Sequence, residues 1–322
     1  ARATGNMTLQ ANAVVERLEH DDVTGKIAAV HVIDSETRER TRYTAKIFFL
    51  CASTVGSTQI LLNSTSKAHP TGLGNQGGVL GHYMMDHYMT MGGLGIFLDN
   101  SDSYYKGKRP NNLYVPRFRN VGEQDEDTDF VRGFGYQVAT IRTDWSTMFN
   151  SKGFGADLKE SLRKPGFWSM AFAAFGECLP YKDNHMRLDH KNLDRFGIPQ
   201  AHVEFEWGEN EMAIERDMHR QADRLLKAAG AVIAINPGGD GYLTKKPVGG
   251  GAIHEMGTAR MGDDPNESVL NKHNQVHGVP NLFVTDGSCM TSASCVNPSL
   301  TYMALTARAA DYAVKQLAAG AI

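Results

Sequence analysis

Asn281-Leu282-Phe283-Val284-Thr285-Asp286-Gly287-Ser288, followed closely by Cys295-Val296-Asn297-Pro298-Ser299-Leu300-Thr301, is the stretch that decides how this chain is read. The apolar run ending at an acid and a glycine reads as a buried strand that delivers Asp286 to its end, where a carboxylate can accept hydrogen bonds from the hydroxyls of a bound molecule. Proline in the first helical turn forfeits no internal N–H bond, so Pro298 feeds a helix through Tyr302 to Leu317 and leaves the amide of Asn297 near its cap. The open amino end of that helix favours negative charge and suits an electron-rich ring.

Upstream, Gly251-Ala252-Ile253-His254-Glu255-Met256-Gly257-Thr258-Ala259-Arg260-Met261-Gly262 places one histidine before a glycine-rich bend. Glycine permits close backbone approach, and imidazole exchanges a proton near neutral pH. In isolation a structural histidine is the default reading. A metalloprotease helix is excluded, because HExxH requires histidine where Thr258 stands. An earlier strand, Ile47-Phe48-Phe49-Leu50, leads through the small residues 52–57, Ser53 and Thr54 among them, into the apolar stretch 58–62. A helix end there could receive a phosphate, and a plain turn explains the residues as well.

Outward from these motifs, 7–18 and 26–33 read as strands around the turn Asp21-Asp22-Val23-Thr24-Gly25. The glycine-rich stretch 69–81 reads as a crossing between regions. Runs 88–97, 113–118, 131–141 and 168–178 then predict an antiparallel sheet with one protected face. A short strand is expected over 203–207, a helix over 211–229 with Gly230 as its stop, and a flexible glycine-rich segment over 236–251.

At 322 residues and 41% hydrophobic composition the chain can bury one large or two medium cores. Lys plus Arg number 33 and Asp plus Glu 36, a formal charge of -3, so no strong field draws nucleic acid or an anionic membrane. The cysteines, Cys51, Cys178, Cys289 and Cys295, form no CxxC pair. Cys289 and Cys295 read as packed thiols, and no metal is expected. No apolar run approaches the roughly 20 residues of a membrane span. The start carries no signal peptide, and the compartment stays open between cytoplasm and periplasm. The chain opens at Ala1 in a strand pattern without methionine, from which processing or truncation is expected, and it lacks GxGxxG, so a dinucleotide's pyrophosphate cradle would lie upstream of residue 1.

Taken together, His254-Glu255-Met256-Gly257-Thr258, Val284-Thr285-Asp286-Gly287-Ser288 and Asn297-Pro298-Ser299-Leu300-Thr301 resemble the closing signature of glucose–methanol–choline (GMC) oxidoreductases, with His254 and Asn297 43 residues apart. The resemblance implies an α/β (α+β) fold: an incomplete FAD-binding domain from 1–81 and 250–322, and an antiparallel-sheet substrate domain over 82–249. It implies FAD as cofactor, His254 as the base that takes the substrate hydroxyl proton, and Asn297 as its partner. Asp286 and Gly287 match residues along the ribityl and pyrophosphate region. Pro298, Ser299 and Thr301 match the segment beside the isoalloxazine, and Val14 matches the adenine end. Ser53 and Thr54 are further cofactor candidates.

The implied activity is oxidation of a CH–OH group of a sugar, glycoside or polyol by proton abstraction and hydride transfer. A missing upstream FAD-binding segment and an unidentified electron acceptor are the implied partners. Without that segment, weak FAD binding is expected. A flavin-dependent lyase of the same fold and a non-catalytic carbohydrate-binding fragment are the alternatives.

Overall fold

The computed structural model describes residues 1–98, 113–142, 153–163, 166–235 and 247–322. The glycine-rich segment expected from Asn236 lies outside the described residues as far as 246. Strands β1 (Ala13–Asp21) and β2 (Lys26–Asp34) form an antiparallel hairpin, and β3 (Arg40–Tyr43) adds to its edge. The hairpin turns where the Asp21 carboxylate accepts from the Val23 amide and the Thr24 hydroxyl. The strand expected from Met7 begins at Ala13, because Asn12 takes a positive φ of 57° and breaks the extended run. Strand β3 escaped the sequence reading because Arg-Thr-Arg-Tyr has no buried face, and Arg42 and Arg40 instead pair with Glu19 and Glu16 of β1.

Strand β4 (Phe48–Leu50) leads into helix α1 (Ser53–Asn63). In the 88–235 region the elements run β5 (Tyr88–Phe97), β6 (Leu113–Val115), β7 (Phe134–Arg142), α2 (Gly155–Arg163), β8 (Trp168–Gly176), β9 (His185–Leu193), β10 (Pro199–Glu204), α3 (Glu209–Ala228) and β11 (Ile233–Ile235). The chain closes with β12 (Leu282–Val284) and α4 (Ser299–Ala318). Strand β12 pairs in parallel with β4, Phe49 opposite Phe283, so the two strand-turn-helix units of the sequence lie side by side. Leu50, Leu61, Val269, Leu282 and Val284 share one core beneath them.

The expected antiparallel sheet is present in the order β11-β5-β8-β7-β6. One face is closed by α3: Tyr136, Phe172, Ile214, Met218 and Leu226 form a second core, and the Tyr136 hydroxyl donates to the Met218 carbonyl at 2.6 Å. Strand β6 stops at Val115 because Pro116 has no N–H for the ladder. Strand β7 starts at Phe134, after the positive φ of Arg132. Helix α3 starts at Glu209, where the Glu211 carboxylate accepts from the Gly208 amide. The strand expected over 203–207 is instead the end of β10, which pairs with β9; this hairpin is largely solvent-facing and shows no apolar alternation to betray it. No helix among the described residues is long and apolar enough to cross a membrane.

Candidate active site

His254 is placed by a strand-like pairing. Met85 and Met256 exchange both backbone hydrogen bonds at 2.9 Å in an isolated antiparallel bridge. Two residues on from Met85 and two back from Met256, the same antiparallel register brings His87 beside His254, and their Nδ1 atoms stand 2.9 Å apart. The buried Asp86 secures both backbones: its Oδ1 accepts from the amides of His87 at 2.8 Å and His254 at 3.1 Å, and its Oδ2 accepts from that of Ala252 at 3.2 Å.

The other ring nitrogen of His254, Nε2, lies 3.1 Å from Nδ2 of Asn297. Gln137 of β7 donates from Nε2 to Oδ1 of Asn297 at 2.7 Å, which turns the Asn297 nitrogen toward His254. The order of donors then follows. Asn297 donates to Nε2, so the proton of neutral His254 sits on Nδ1 and points at Nδ1 of His87. His87 must be neutral to accept it. Burial pushes its pKa down to about 4, His254 beside it adds to the fall, and the Ser294 backbone and Asp86 act in the opposite direction.

Beside this pair opens a cleft of about 300 Å³ lined by His254, Asn297, Ser53, Thr54, Asp286, Gly287, Pro298 and Ser299. Every site residue named from the sequence is therefore at one place except two. Val14 sits in β1 opposite Ile33, and Thr301 is exposed on the first turn of α4; neither lines the cleft. The first residues of α1 and of α4 both face the cleft, neither helix has a side-chain cap, and neither has an acid in its first turn. Two sets of unpaired backbone N–H groups thus converge on one space.

Asp286 faces the cleft but already holds its own loop. Its Oδ1 accepts from the Ser288 amide at 3.0 Å and hydroxyl at 2.6 Å, and its Oδ2 accepts from the Ser57 hydroxyl. Of roughly four acceptor positions on a carboxylate, about one is left for a ligand. A Cβ at Gly287 would strike the Thr54 hydroxyl, the Glu255 carbonyl and the Tyr302 hydroxyl, so only glycine lets the chain pass here. Cys289 and Cys295 are buried free thiols, and burial raises both, Cys289 to about 12. Among the described residues no group of three His, Cys, Asp or Glu is placed to hold a metal.

The sequence reading missed Asp86, His87, Ser57 and Gln137. The one available signal was the adjacent Asp86-His87 pair ahead of the first sheet strand. Its partner stands 167 residues away, beyond any local pattern.

Residues 180–306 match a family model described as GMC oxidoreductase. The chain is 36% identical over 311 residues to 2-methyl-1,2-propanediol dehydrogenase of Mycolicibacterium austroafricanum, covering 94% of this chain and 54% of that protein. It is 28% identical over 314 residues to the fructose dehydrogenase large subunit of Gluconobacter japonicus, covering 96% and 54%. The chain therefore spans about half the length of these curated relatives. Among solved structures, pyridoxine 4-oxidase from Mesorbium loti superposes with a TM-score of 0.51 at 15% identity, over 94% of this chain and 57% of that one, a likeness of fold.

Proposed function

Since the chain belongs to the GMC oxidoreductase family, we propose that it carries the reacting end of an FAD-dependent enzyme that oxidises a CH–OH group of an alcohol or sugar. The observation that carries this reading is the His254 Nε2 lone pair, set against the Asn297 amide at the mouth of a cleft on which two helix ends converge. The cleft suits a flavin. Its uncapped, acid-free helix ends offer N–H groups to an electron-rich pyrimidine, and Ser53, Thr54, Ser299 and the remaining Asp286 position offer hydrogen bonds to ribityl hydroxyls. When bound, FAD supplies the two-electron acceptor that side chains lack.

The chain's own residues do the rest. His254 takes the hydroxyl proton at Nε2. Its Nδ1–H stays on the hydrogen bond to His87, which keeps the ring from rotating and leaves Nε2 the unprotonated nitrogen, where a substrate hydroxyl would take the place of the Asn297 N–H. Asn297 holds the substrate oxygen within reach of that nitrogen. Asp86 keeps the two histidine backbones in register. In this reading residues 1–81 and 250–322 form part of a flavin-binding domain and 82–249 the substrate domain. In its support, residues from both outer segments share one core, and the sheet and α3 share another. Anaerobic stopped-flow mixing of the full-length protein with an alcohol substrate tests it: His254→Ala should slow flavin bleaching severely at unchanged flavin content, and an equal rate would overturn it.

A further inference from the structure

The central sheet has two faces with opposite fates. The face under α3 is buried in a core. On the other, strand alternation and register line up Met91, Ala173, Gln137 and Tyr114 in one row. The next row away carries Leu94, Ala171 and Ala139. Met91 is 40% and Tyr114 43% exposed, so among the described residues this face is open.

This open face is continuous with the reacting pair. Gln137, in the first row, donates to Asn297 at 2.7 Å, and the Phe175 ring, two residues along β8 from Ala173, has its centroid 6.2 Å from that of His254. A hydroxyl held between His254 and Asn297 therefore carries its carbon skeleton onto these rows. We infer that the open face of the sheet is the substrate-facing wall and selects a compact alcohol with a methyl-bearing alkyl skeleton over a polyhydroxylated sugar. The inference rests on the oxidoreductase reading above and narrows it, and it displaces the preference for sugar taken from the sequence.

The argument is one of hydrogen-bond supply. Met91, Leu94, Ala139, Ala171 and Ala173 carry no polar side-chain atom that pairs strongly. In the same rows the polar groups are few: Gln137 has a nitrogen committed to Asn297, and Tyr114, on the edge strand, brings a single hydroxyl over Gly135. Ser169, further along the same face, spends its hydroxyl on the Ile141 carbonyl at 3.0 Å. A hexose laid here would exchange water for a face whose described side chains offer only the Gln137 amide and the Tyr114 hydroxyl for its several hydroxyls, and every hydroxyl left unpaired counts against binding. A branched alkyl diol has only one hydroxyl beyond the reacting one, which the Gln137 amide can meet, and its methyl groups gain from the apolar rows. A single methyl in an apolar pocket is typically worth about 10–200-fold in selectivity.

The test uses the full-length flavoprotein and compares 2-methyl-1,2-propanediol with glucose and fructose by anaerobic flavin bleaching. The diol should exceed either hexose at least ~10-fold in kcat/KM. Ala171→Asn should raise the diol KM at unchanged flavin content. Saturation-transfer NMR with 2-methyl-2-propanol, which has no carbinol C–H to surrender, reads binding alone: transfer to its methyls is expected in the natural protein and is lost in Ala171→Asn. Bleaching by a hexose as efficient as by the diol and dependent on His254 would overturn the inference and leave the oxidoreductase reading standing. No bleaching by any of the three would overturn both, and an Ala171→Asn variant with unaltered KM and methyl transfer would remove the face from the site.

Discussion

Helices α3 and α4 are each 20 residues long and differ in what they bury. Helix α3 puts Ala213, Ile214, Met218, Ala222 and Leu226 into the core beneath the sheet. Helix α4 buries Ala309 and Ala313, while Leu300, Met303 and Val314 are 78%, 68% and 64% exposed. The first helix is held by packing. The second presents its amino end to the cleft, in a region where hydrogen bonds and backbone pairing do the positioning. The reacting groups sit where burial is incomplete, and their geometry is therefore set by Asp86, His87 and Gln137 rather than by a core.

If hydrogen bonds set the site while packing sets the sheet, variants on the two sides should separate activity from stability. The largest effect is expected at His254. Replacing it by alanine in the full-length protein should cost about 10²–10⁴-fold in flavin reduction, the usual worth of a positioned base, with little change in melting temperature.

On the sheet side, Arg119 meets the buried Asp217 at 2.8 Å and also pairs with Asp125 and Asp127. Arg119→Met leaves Asp217 to Arg220 and Gln221. It should lower unfolding free energy by ~3 kcal/mol, the lower end for a broken buried pair, while per-molecule flavin reduction stays as it was. A large loss of turnover at intact flavin content would break the separation.

His87 joins the two behaviours. It is neutral when folded, with its pKa near 4, whereas an unfolded chain protonates it below about 6.5. Between those values the unfolded state binds more protons, so stability is full above pH ~6.5 and falls as the pH drops toward ~4, by up to ~3 kcal/mol. Urea unfolding at several pH values should show this slope, and His87→Leu should flatten it. The same variant should shift the His254 proton off Nδ1, read by ¹⁵N chemical shifts. His87→Asn, which keeps an acceptor near the old Nδ1, should restore it. The smallest effect belongs to α4: Lys315 and Asp311 pair at 2.7 Å in the open, and Asp311→Ala should cost only ~0.3–0.5 kcal/mol.

Much of this molecule was legible in the chain because local rules govern it. Apolar alternation announced β5, β7 and β8, and Gly230 after an amphipathic run announced α3. Elements the sequence left unread lack those signals: β3, β9 and the first part of β10 lie on the surface, where no buried face imposes a period. Among site residues, His254, Asn297, Asp286 and Gly287 were readable because their three motifs together resemble the GMC closing signature; by its local chemistry alone His254 reads as a structural histidine. His87 and Gln137 were not, because a histidine after an aspartate and a glutamine in a strand are ordinary until something distant meets them.

By itself the sequence determined the strand-turn-helix units at 47–62 and 281–317 and the antiparallel sheet between them, which follow from contacts within a few residues; the histidine and asparagine that meet were named by the resemblance of their motifs to a family signature. Only the tertiary structure decided which nitrogen of His254 is the unprotonated one, how much of Asp286 is left for a ligand, and that the sheet turns an apolar face to the site. Those depend on the Met85–Met256 bridge, the Ser57–Asp286 contact and the Gln137–Asn297 bond. These contacts join residues 160 or more positions apart, and a side chain's hydrogen-bonding state is fixed by the partner it finds in space, which no local pattern records.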